Sequence, residues 1–414
     1  MIAYGQALQS LLDAASGLLP VETLALEQAV NRISAAAVHS GVQLPPFNNS
    51  AMDGFALHCP TSGLQAGAEL AVSHAMAAGD QPLAGVSDAC EIMTGAAVPE
   101  GCTAVIPIEQ VCVLAHDAAG RPQRIRLQAD VASGQHLRLA GEDVERGDAL
   151  LVSGTRISPA HVMLLSGAGV AEVTVRRRPR IALIATGREL IDDPGQPLLP
   201  GQIRNSNAPY LSARLQQWGA QVVYRATVAD DPAAFIEAVK AANAQAIDLL
   251  ISTGAVSMGR FDFIPDALRS LGADILFHKV AIRPGKPILL ARQASGILCF
   301  GLPGNPISTA VGLRFFIEPA LRALSGMPLE TPITVPLAHV AVKKAGFRMF
   351  QKARVCLGTN ASVALLKGQE SFKTQPMLYA NAWAVLPETE EMLEADTALT
   401  VYPLTDGAGW EAGA

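Results

Sequence analysis

Two segments rich in glycine and hydroxyl residues directly follow apolar runs in this sequence. Thr186-Gly187-Arg188-Glu189 follows an apolar run at 181–185, and the segment at 252–259 begins at the last residue of an apolar run at 247–252. Glycine lets the backbone approach a ligand closely, and the N–H groups of such a loop can point together at an anion. We expect Gly254 and Ser257 in the second loop to contact a phosphate-like ligand; an ordinary turn is the alternative.

Carboxylates follow the same apolar runs and the run between them. Glu189 comes after the first run, Asp230 and Asp231 after the second, and Asp262 after the third. Asp231 precedes Pro232, the pattern of a helix N-cap, so it has a sufficient structural role. The other three acids suit Mg²⁺, which favours one or two carboxylates together with substrate phosphates. The loops and acids together indicate a nucleotide-like ligand with magnesium.

Basic residues gather further along the chain. His278, Lys279, Arg283 and Lys286 lie within nine residues and are interleaved with apolar ones. This spacing predicts a strand that presents several cations on one side and ends at a Pro-Gly-Lys-Pro loop. Such a strand forms a pocket for a dianion or a polyphosphate; an edge strand protected by its charges is the alternative.

Two short apolar runs come next, at 287–291 and 297–302, joined by Gln-Ala-Ser-Gly. They predict a β-hairpin, because a short polar connection suits two antiparallel strands. Folding this hairpin brings the Pro-Gly-Lys-Pro loop at 284–287 beside the Pro-Gly-Asn-Pro loop at 303–306. Pro303, Gly304 and Asn305 therefore join the candidate binding residues.

The elements that must position these groups alternate between strands and helices over 180–326. This order predicts a three-layer α/β/α domain with a parallel sheet, whose strand ends bind ligands. Residues 1–40 carry leucine and alanine at helical spacing and predict helix, and Ser158-Pro159 predicts the start of another helix. Short apolar runs between Gly and Pro predict β structure at 48–138 and 330–405.

Composition excludes several classes of protein. Hydrophobic residues make up 50% of the chain and charged residues 16%, which provides apolar surface for packed cores and argues against disorder. The net charge of −6 and the aromatic content of 5% do not fit a nucleic-acid-binding protein. No apolar stretch reaches about 18 residues, so we expect no membrane span. The basic run at 176–180 is interpreted as an interdomain joint.

The location expected from the sequence is the cytoplasm. The six cysteines show neither a CxxC pair nor zinc-type spacing, which fits a reducing compartment. The first 31 residues contain no Lys or Arg, so the basic start of a secretory signal is missing.

Two further segments, at 45–56 and 92–109, are dense in turn residues and taken alone indicate structure more than function. With five others they form an ordered set: PPFNNSAMDGFA (45–56), IMTGAAVPEGCTAVIPIE (92–109), GEDV (141–144), TGREL (186–190), STGAVSMGRFDF (252–263), KVAIRPGKP (279–287) and GLPGNPIS (301–308). In this order they resemble the MoeA family of molybdopterin molybdenumtransferases, which includes the E domain of gephyrin and its plant counterpart. No one segment would suffice.

The resemblance implies an elongated homodimer with four domains per subunit, an α/β multidomain fold. We expect a discontinuous N-terminal domain at 1–47 and 139–176, mixed but largely helical, and a β-rich domain at 48–138. An α/β domain similar to the one that adenylylates molybdopterin occupies 177–327, and a β-barrel-like domain occupies 328–414. The active-site cleft then lies between the α/β domain and the β-rich domain of the other subunit.

The resemblance also assigns functional positions. Asp53 and Thr94 match positions on the β-rich domain, and Arg138 and Asp143 match positions near the hinge. The matching positions of the α/β domain are Glu189, Asp230, Asp262, Lys279 and Lys286. The expected catalytic residues are Asp53, Asp262 and Glu189, and the expected magnesium ligands are Glu189 and Asp262.

The implied reaction uses adenylyl-molybdopterin and molybdate as substrates. AMP and the pyrophosphate link lie across the two glycine loops, Mg²⁺ neutralises the phosphates, and molybdate is drawn to Lys279, Arg283 or Lys286. The dithiolene sulfurs displace molybdate oxygens, hydrolysis releases AMP, and Asp53 or Asp262 positions the water or the metal. The molybdopterin adenylyltransferase is a further expected partner, and no nucleic acid or membrane is expected.

Two other functions fit the same residues: a non-catalytic carrier or scaffold for nucleotide-linked molybdopterin, and a generic nucleotide pyrophosphatase. Four positions depart from the family pattern. Arg188 and Arg260 stand where the family often has acids, Ala255 where it often has glycine, and Arg283 where lysine is common. The change at 283 keeps the charge and alters its geometry.

Overall fold

The computed structural model describes residues 1–256, 263–358 and 360–404. The chain begins with helix Tyr4–Ala14, whose apolar face is buried in the core of the α/β sheet. It then forms strand Val21–Ala25, which pairs antiparallel with Glu172–Arg176. The prediction of helix over 1–40 is therefore wrong beyond the first helix. The β-branched Val21 and Thr23 favour the strand, and the leucine spacing did not distinguish the two states.

Residues from both sides of the first β region complete this part of the chain. Strand Val38–His39 pairs with Ala149–Leu151. The predicted helix after Ser158 is confirmed as Pro159–Gly167, with the Ser158 Oγ 2.7 Å from His161 Nδ1 in its first turn. A separate apolar cluster that includes Leu150, Leu165 and Val173 is buried between these elements.

The β structure expected over 48–138 is present as a six-stranded sheet. Its strands, in spatial order, are Ala104–Pro107, Gly54–Leu57, Ala89–Ile92, Glu69–Met76, Pro122–Leu127 and Val111–His116. A short ladder between Asn49–Ser50 and Leu137–Arg138 joins the two ends of this segment, which places residues before and after the sheet side by side.

A second six-stranded sheet forms the centre of residues 180–302. Its strands, in spatial order, are Gln221–Val228, Arg180–Thr186, Leu249–Thr253, Leu298–Leu302, Leu289–Arg292 and Asp274–His278. The first four are parallel, as expected from the alternation of strands and helices. The predicted hairpin is confirmed by the antiparallel pair Leu289–Arg292 and Leu298–Leu302.

Both faces of this sheet are covered, which confirms the three-layer arrangement. Ile181 and Leu183 belong to one apolar core, whereas Ala182 and Ile184 of the same strand belong to another. Alternate side chains of a strand point to opposite faces, so both faces are buried. The flanking helices are Asn207–Trp218, Pro232–Asn243, Ile264–Ser270, Pro306–Gly312 and Glu318–Leu324, the last two joined by a π-helical turn, Leu313–Ile317.

Two helices end or begin at the residues that the sequence indicates, Gly219 and Asp231-Pro232. Gly219 ends its helix in the left-handed conformation, with φ 104°. The Asp231 carboxylate accepts hydrogen bonds from the Ala233 and Ala234 N–H groups at 3.4 and 3.0 Å, and Pro232 takes the first helical position. Asp231 is therefore an N-cap, as the sequence indicated.

The predicted basic strand is interrupted at Lys279. Strand Asp274–His278 ends directly before it, Lys279 has φ 71°, and the chain then pairs Ile282–Arg283 with a different sheet. A left-handed residue breaks the alternation of side chains on which the prediction rested. The prediction that the basic side chains share one strand is therefore wrong.

The C-terminal part of the chain is β structure, as expected. Its sheet has the spatial order Ile282–Arg283, Arg348–Cys356, Ala382–Leu386, Ala398–Pro403 and Ile333–Pro336, with Ser362–Leu365 paired to the second of these. The parallel pairing of Ile282–Arg283 with Arg348–Cys356 carries this sheet to the edge of the α/β region.

The arginine run at 176–180 lies at a junction between elements. Arg176, Arg178 and Arg180 donate side-chain hydrogen bonds to backbone carbonyl groups, and Arg177 pairs with Asp248 at 2.8 Å. These contacts support the interpretation of the run as a structural joint. Helices in the described part of the chain all lack the length and hydropathy of a membrane span.

Candidate active site

A cavity of about 630 Å³ opens at the carboxyl ends of three neighbouring parallel strands. It lies where Arg180–Thr186, Leu249–Thr253 and Leu298–Leu302 end, and residues that follow each of these strands line it. In α/β sheets this is the position at which ligands bind. Because Glu189 and Asp230 both line it, we call it the acidic cavity.

Two glycines from different loops meet in the wall of the acidic cavity. A Cβ placed on Gly304 would lie 3.9 Å from the Cα of Gly254, so the two loops are in contact. Gly254 has φ 93° and its N–H donates to the Leu302 carbonyl at 3.0 Å. A Cβ on Gly254 would lie 2.5 Å from the Thr186 carbonyl oxygen, so only glycine fits there.

The loop at 303–305 is held by side chains from two helices. Asn207 Nδ2 donates to the Gly304 carbonyl at 2.7 Å, and Thr309 Oγ1 donates to the Pro303 carbonyl at 2.7 Å. Asn207 begins one helix and Thr309 lies in the first turn of another. Neither residue was predicted from the sequence to take part in the site. The signal for Asn207 is its place in an Asn-Ser-Asn run directly before a helix.

The acids of the cavity are placed by tight backbone turns. Asp230 Oδ2 accepts a hydrogen bond from the Arg188 N–H at 3.3 Å. The Glu189 carboxylate lies over Gly187, because a Cβ on Gly187 would be 2.7 and 2.8 Å from its two oxygens. With φ 151°, Gly187 also has a backbone conformation that disfavours other residues.

The donor set of this cavity fits a magnesium ion that is bound together with a phosphate-bearing ligand. Two carboxylates line the cavity, and Mg²⁺ prefers one or two carboxylates with substrate oxygens. The described residues contain no group of three or more His, Cys, Asp or Glu side chains suited to a metal. Ligand oxygens would therefore have to complete the coordination.

Ser257 and Asp262 lie outside the described residues, and their roles stay predictions. The loop that leads to them begins at Ala255, whose φ of 48° costs an alanine about 1–2 kcal/mol. His278 Nε2 lies 2.8 Å from the Val256 carbonyl oxygen and fixes the start of the loop.

A second cavity, of about 480 Å³, adjoins the first, and Pro287 and Ser308 line both. Arg283 and Lys286 line this second cavity, which we call the cationic cavity. Its opposite wall is the C-terminal segment 369–372. Two of the three predicted molybdate-binding cations therefore lie in one place, next to the acids.

Lys279 is not among the residues that line either cavity. Its backbone N–H donates to the Ile288 carbonyl at 3.0 Å, and its left-handed conformation turns the chain between the two sheets. The chain at Lys279 lies beside the loop of Lys286, because the Val280 N–H donates to the Lys286 carbonyl at 2.9 Å. The role of Lys279 in substrate binding stays a prediction.

Asp53 and Thr94 form a pair on the surface of the β sheet at 54–127. One Asp53 carboxylate oxygen accepts hydrogen bonds from the Thr94 N–H at 2.6 Å and from the Thr94 hydroxyl at 2.8 Å. These two bonds, first the backbone one, lower the pKa of Asp53 below its ordinary value. The carboxylate is therefore exposed, ionised at neutral pH and fixed in direction, but it lines neither cavity of its own chain.

Arg138 and Asp143 are exposed and also lie apart from the two cavities. Arg138 pairs with Asn49 in the short ladder below the β sheet. The Asp143 N–H donates to the Leu44 carbonyl at 3.0 Å, where the chain passes from one region to the next. Their expected place near a hinge and their roles in binding stay predictions.

Glycine loops, carboxylates and a cationic cavity at one edge of an α/β sheet are typical of proteins that bind anionic, phosphate-bearing ligands. Comparison with protein families gives a narrower assignment. The MoeA N-terminal region (domain I and II) matches residues 2–169, and a probable molybdopterin binding domain matches residues 182–323.

Full-length relatives agree. A molybdopterin molybdenumtransferase of Synechococcus elongatus is 35% identical over 413 residues, covering 98% of this chain and 100% of the relative. One of Bacillus subtilis is 35% identical over 403 residues, covering 94% and 91%. A crystal structure of a molybdopterin biosynthesis MoeA protein from Pyrococcus horikosii superposes with a TM-score of 0.77 at 26% identity, covering 99% of this chain and 100% of that one.

This chain belongs to the molybdopterin molybdenumtransferase family and is a transferase of molybdenum cofactor biosynthesis. The resemblance noted from the sequence is confirmed.

Proposed function

We propose that this protein inserts molybdenum from molybdate into adenylyl-molybdopterin and releases AMP. The observation that carries the proposal is the contact between the acidic cavity and the cationic cavity, which have Pro287 and Ser308 in common. A ligand with a phosphate link in the acidic cavity and a tetrahedral oxyanion in the cationic cavity would then lie side by side. Holding two reactants in this way removes much of the entropic cost of their reaction.

The acidic cavity binds the phosphate link in this proposal. Gly254 and Gly304 leave room for close approach of the backbone, and Asn207 holds the Gly304 loop in place. Glu189 and Asp230, with Asp262 further along the chain, would hold Mg²⁺. When bound, this ion supplies positive charge that neutralises the phosphates.

The cationic cavity binds molybdate. Arg283 and Lys286 supply charge and N–H donors for a tetrahedral dianion, and Ser308 and Ser371 supply hydroxyl groups. The two dithiolene thiols of the pterin then replace two molybdate oxygens, which leave as two water molecules with the two thiol protons and two protons from solvent. Water cleaves the phosphoanhydride bond, and AMP leaves.

We also propose that the site is completed by a second copy of the chain. The Asp53 carboxylate is ionised and fixed by Thr94, yet it lies outside the cavities of its own chain. In a homodimer the partner's copy would reach the cleft and orient the attacking water. Asp53→Asn and Glu189→Gln chains should each be inactive alone. When they are mixed in equal amounts, half of the dimers contain one chain of each kind and have one intact site out of two, so about a quarter of all sites should be active. No recovery in mixed dimers would show that Asp53 does not act across the dimer, and full activity of Asp53→Asn alone would place Asp53 outside the site.

Incubation with adenylyl-molybdopterin, Mg²⁺ and molybdate tests the function, with AMP and the finished cofactor both measured. We expect AMP release that depends on molybdate and matches cofactor formation. Release of AMP without molybdate would indicate a nucleotide pyrophosphatase instead. Tight binding without any release would indicate a carrier. The cytoplasmic location and the contact with the adenylyltransferase stay predictions.

A further inference from the structure

The wall of the cationic cavity formed by the C-terminal region lacks an apolar anchor. Residues 366–373 follow strand Ser362–Leu365 without regular secondary structure, and all of their side chains are at least partly exposed. Gln369, Glu370 and Ser371 of this segment nevertheless line the cavity. Polar contacts must therefore hold the segment in place.

Lys352 supplies two of these contacts, and the Ile307 N–H supplies a third, to the Ser371 carbonyl at 2.9 Å. The Lys352 side chain is completely buried at 0% exposure in strand Arg348–Cys356. Its ammonium group donates to the Gly368 carbonyl at 2.6 Å and to the Lys373 carbonyl at 3.1 Å. These two carbonyls lie at the two ends of the 368–373 segment, so one ammonium group closes the segment into a loop.

Gln369 reinforces this arrangement from the other side. Its amide nitrogen donates to the Lys352 and Leu366 carbonyls at 2.8 and 2.7 Å, and its amide oxygen accepts from the Lys352 N–H at 3.0 Å. Lys352 and Gln369 thus connect strand and segment through backbone and side chain together. Such a network leaves the segment little freedom to move.

A direct role in anion binding would require the ammonium group to face the cavity. Gln351, the residue before it, lines the cavity, whereas Lys352 does not. Arg283 and Lys286, on the opposite side, are the cations that do. The charge of Lys352 is therefore directed at the loop and not at the ligand.

We propose that Lys352 is a positioning residue, whose buried ammonium group holds the 368–373 segment against the cationic cavity and so fixes Ser371 for oxyanion binding. This proposal rests on the proposed function of that cavity. It predicts that affinity for a tetrahedral oxyanion depends on a side chain that does not touch it. An oxyanion of this class, molybdate, is the probe.

The test compares Lys352→Met and Lys352→Arg with the unmodified full chain. Molybdate binding is measured by calorimetry, AMP binding by the same method, and hydrogen exchange of 366–373 by mass spectrometry. Lys352→Met should weaken molybdate binding at least tenfold, about 1.4 kcal/mol, and speed exchange in the segment. It should leave AMP binding within twofold. Arginine also has donors for both carbonyls, so Lys352→Arg should restore part of the affinity.

Lys367→Met is the matched control, because Lys367 is an exposed lysine next to the segment. It should change neither molybdate binding nor exchange by more than twofold. Should Lys352→Met fail to fold, Gln369→Met removes the other half of the network and should speed exchange in the same way.

Two results would overturn the proposal. Unchanged molybdate affinity in a folded Lys352→Met protein would show that positioning by Lys352 is not needed. Lost affinity with unchanged exchange in 366–373 would make Lys352 a direct ligand. If the unmodified chain does not bind molybdate, or if Arg283→Met leaves its molybdate affinity unchanged, the proposed function of the cavity fails, while the exchange measurement still tests the contact itself.

Discussion

Replacing Gly187 by alanine would move the Glu189 carboxylate without removing it. The new Cβ would lie 2.7 and 2.8 Å from the two carboxylate oxygens, and ordinary contact begins at 3.4 Å. The carboxylate must therefore retreat by about 0.7 Å, the difference between 3.4 Å and the 2.7 Å of its nearer oxygen. A shift of about 1 Å at a catalytic site costs roughly a hundredfold in rate, so we expect a ten- to hundredfold loss of AMP release.

The backbone adds a cost that must be separated from this one. Gly187 has φ 151°, and the strain of a non-glycine residue there is about 1–3 kcal/mol of stability. Gly201→Ala is the matched control, because Gly201 has φ 85° and its Cβ would meet nothing within 4 Å. Both variants should lose stability in urea unfolding, but only Gly187→Ala should lose activity. Equal rates of AMP release in the two variants would refute the role given to Glu189.

Three further predictions concern other parts of the molecule. Thr94→Val removes the hydroxyl donor to Asp53, so the lowered pKa of Asp53 should rise towards its ordinary value, as NMR titration would show. The stability that the ionised carboxylate contributes is lost as pH falls through this pKa, so the variant should lose it at a higher pH. Ala255→Gly relieves a φ of 48° and should leave stability equal or up to about 1 kcal/mol higher in urea unfolding, whereas a clear loss would contradict the strain. Glu318→Gln removes a buried carboxylate that pairs with Arg314 at 3.2 Å and also with Arg214, while Arg314 keeps its ion pair with Glu330 at 2.5 Å. The change should cost about 1–3 kcal/mol in the same assay, whereas no measurable cost would show that the Glu318 pairs are dispensable.

The acidic cavity was predictable because each of its predicted residues directly follows an apolar run in the sequence. A parallel sheet brings the carboxyl ends of its strands to one edge, so residues directly after each apolar run must meet there. Gly254, Glu189 and Asp230 each follow such a run, and all line the same cavity. The hairpin then brought Gly304 to the same edge, as its short connection required.

The cationic cavity was only half predictable. Nothing about lysine indicates a left-handed conformation, so the break at Lys279 was invisible and the basic residues were placed on one strand. The opposite wall comes from a segment about 85 residues further along the chain, at 369–372, and such contacts leave no periodic pattern in the sequence. The resemblance to the family implies, by a loose match, substrate contacts at Phe350-Gln351-Lys352 and at Gly368-Gln369-Glu370-Ser371, but the sequence does not distinguish a buried lysine from an exposed one.

The first forty residues show the limit of spacing arguments. Leucine and alanine at positions 8–15 and 24–29 follow one helical period, yet only the first set forms an α-helix; the second set contains a strand end and the short 3-10 helix Leu26–Gln28. Strand Val21–Ala25 finds its partner at Glu172–Arg176, about 150 residues away. Tertiary pairing decides such short segments, whereas propensity alone does not.

The most direct test of the account is a single turnover of adenylyl-molybdopterin by the Glu189→Gln variant, with substrate binding measured separately. If Glu189 acts in the acidic cavity as proposed, binding should change less than threefold and AMP release should fall at least a hundredfold. AMP release at the unmodified rate would contradict the assignment of this cavity as the site of the reaction.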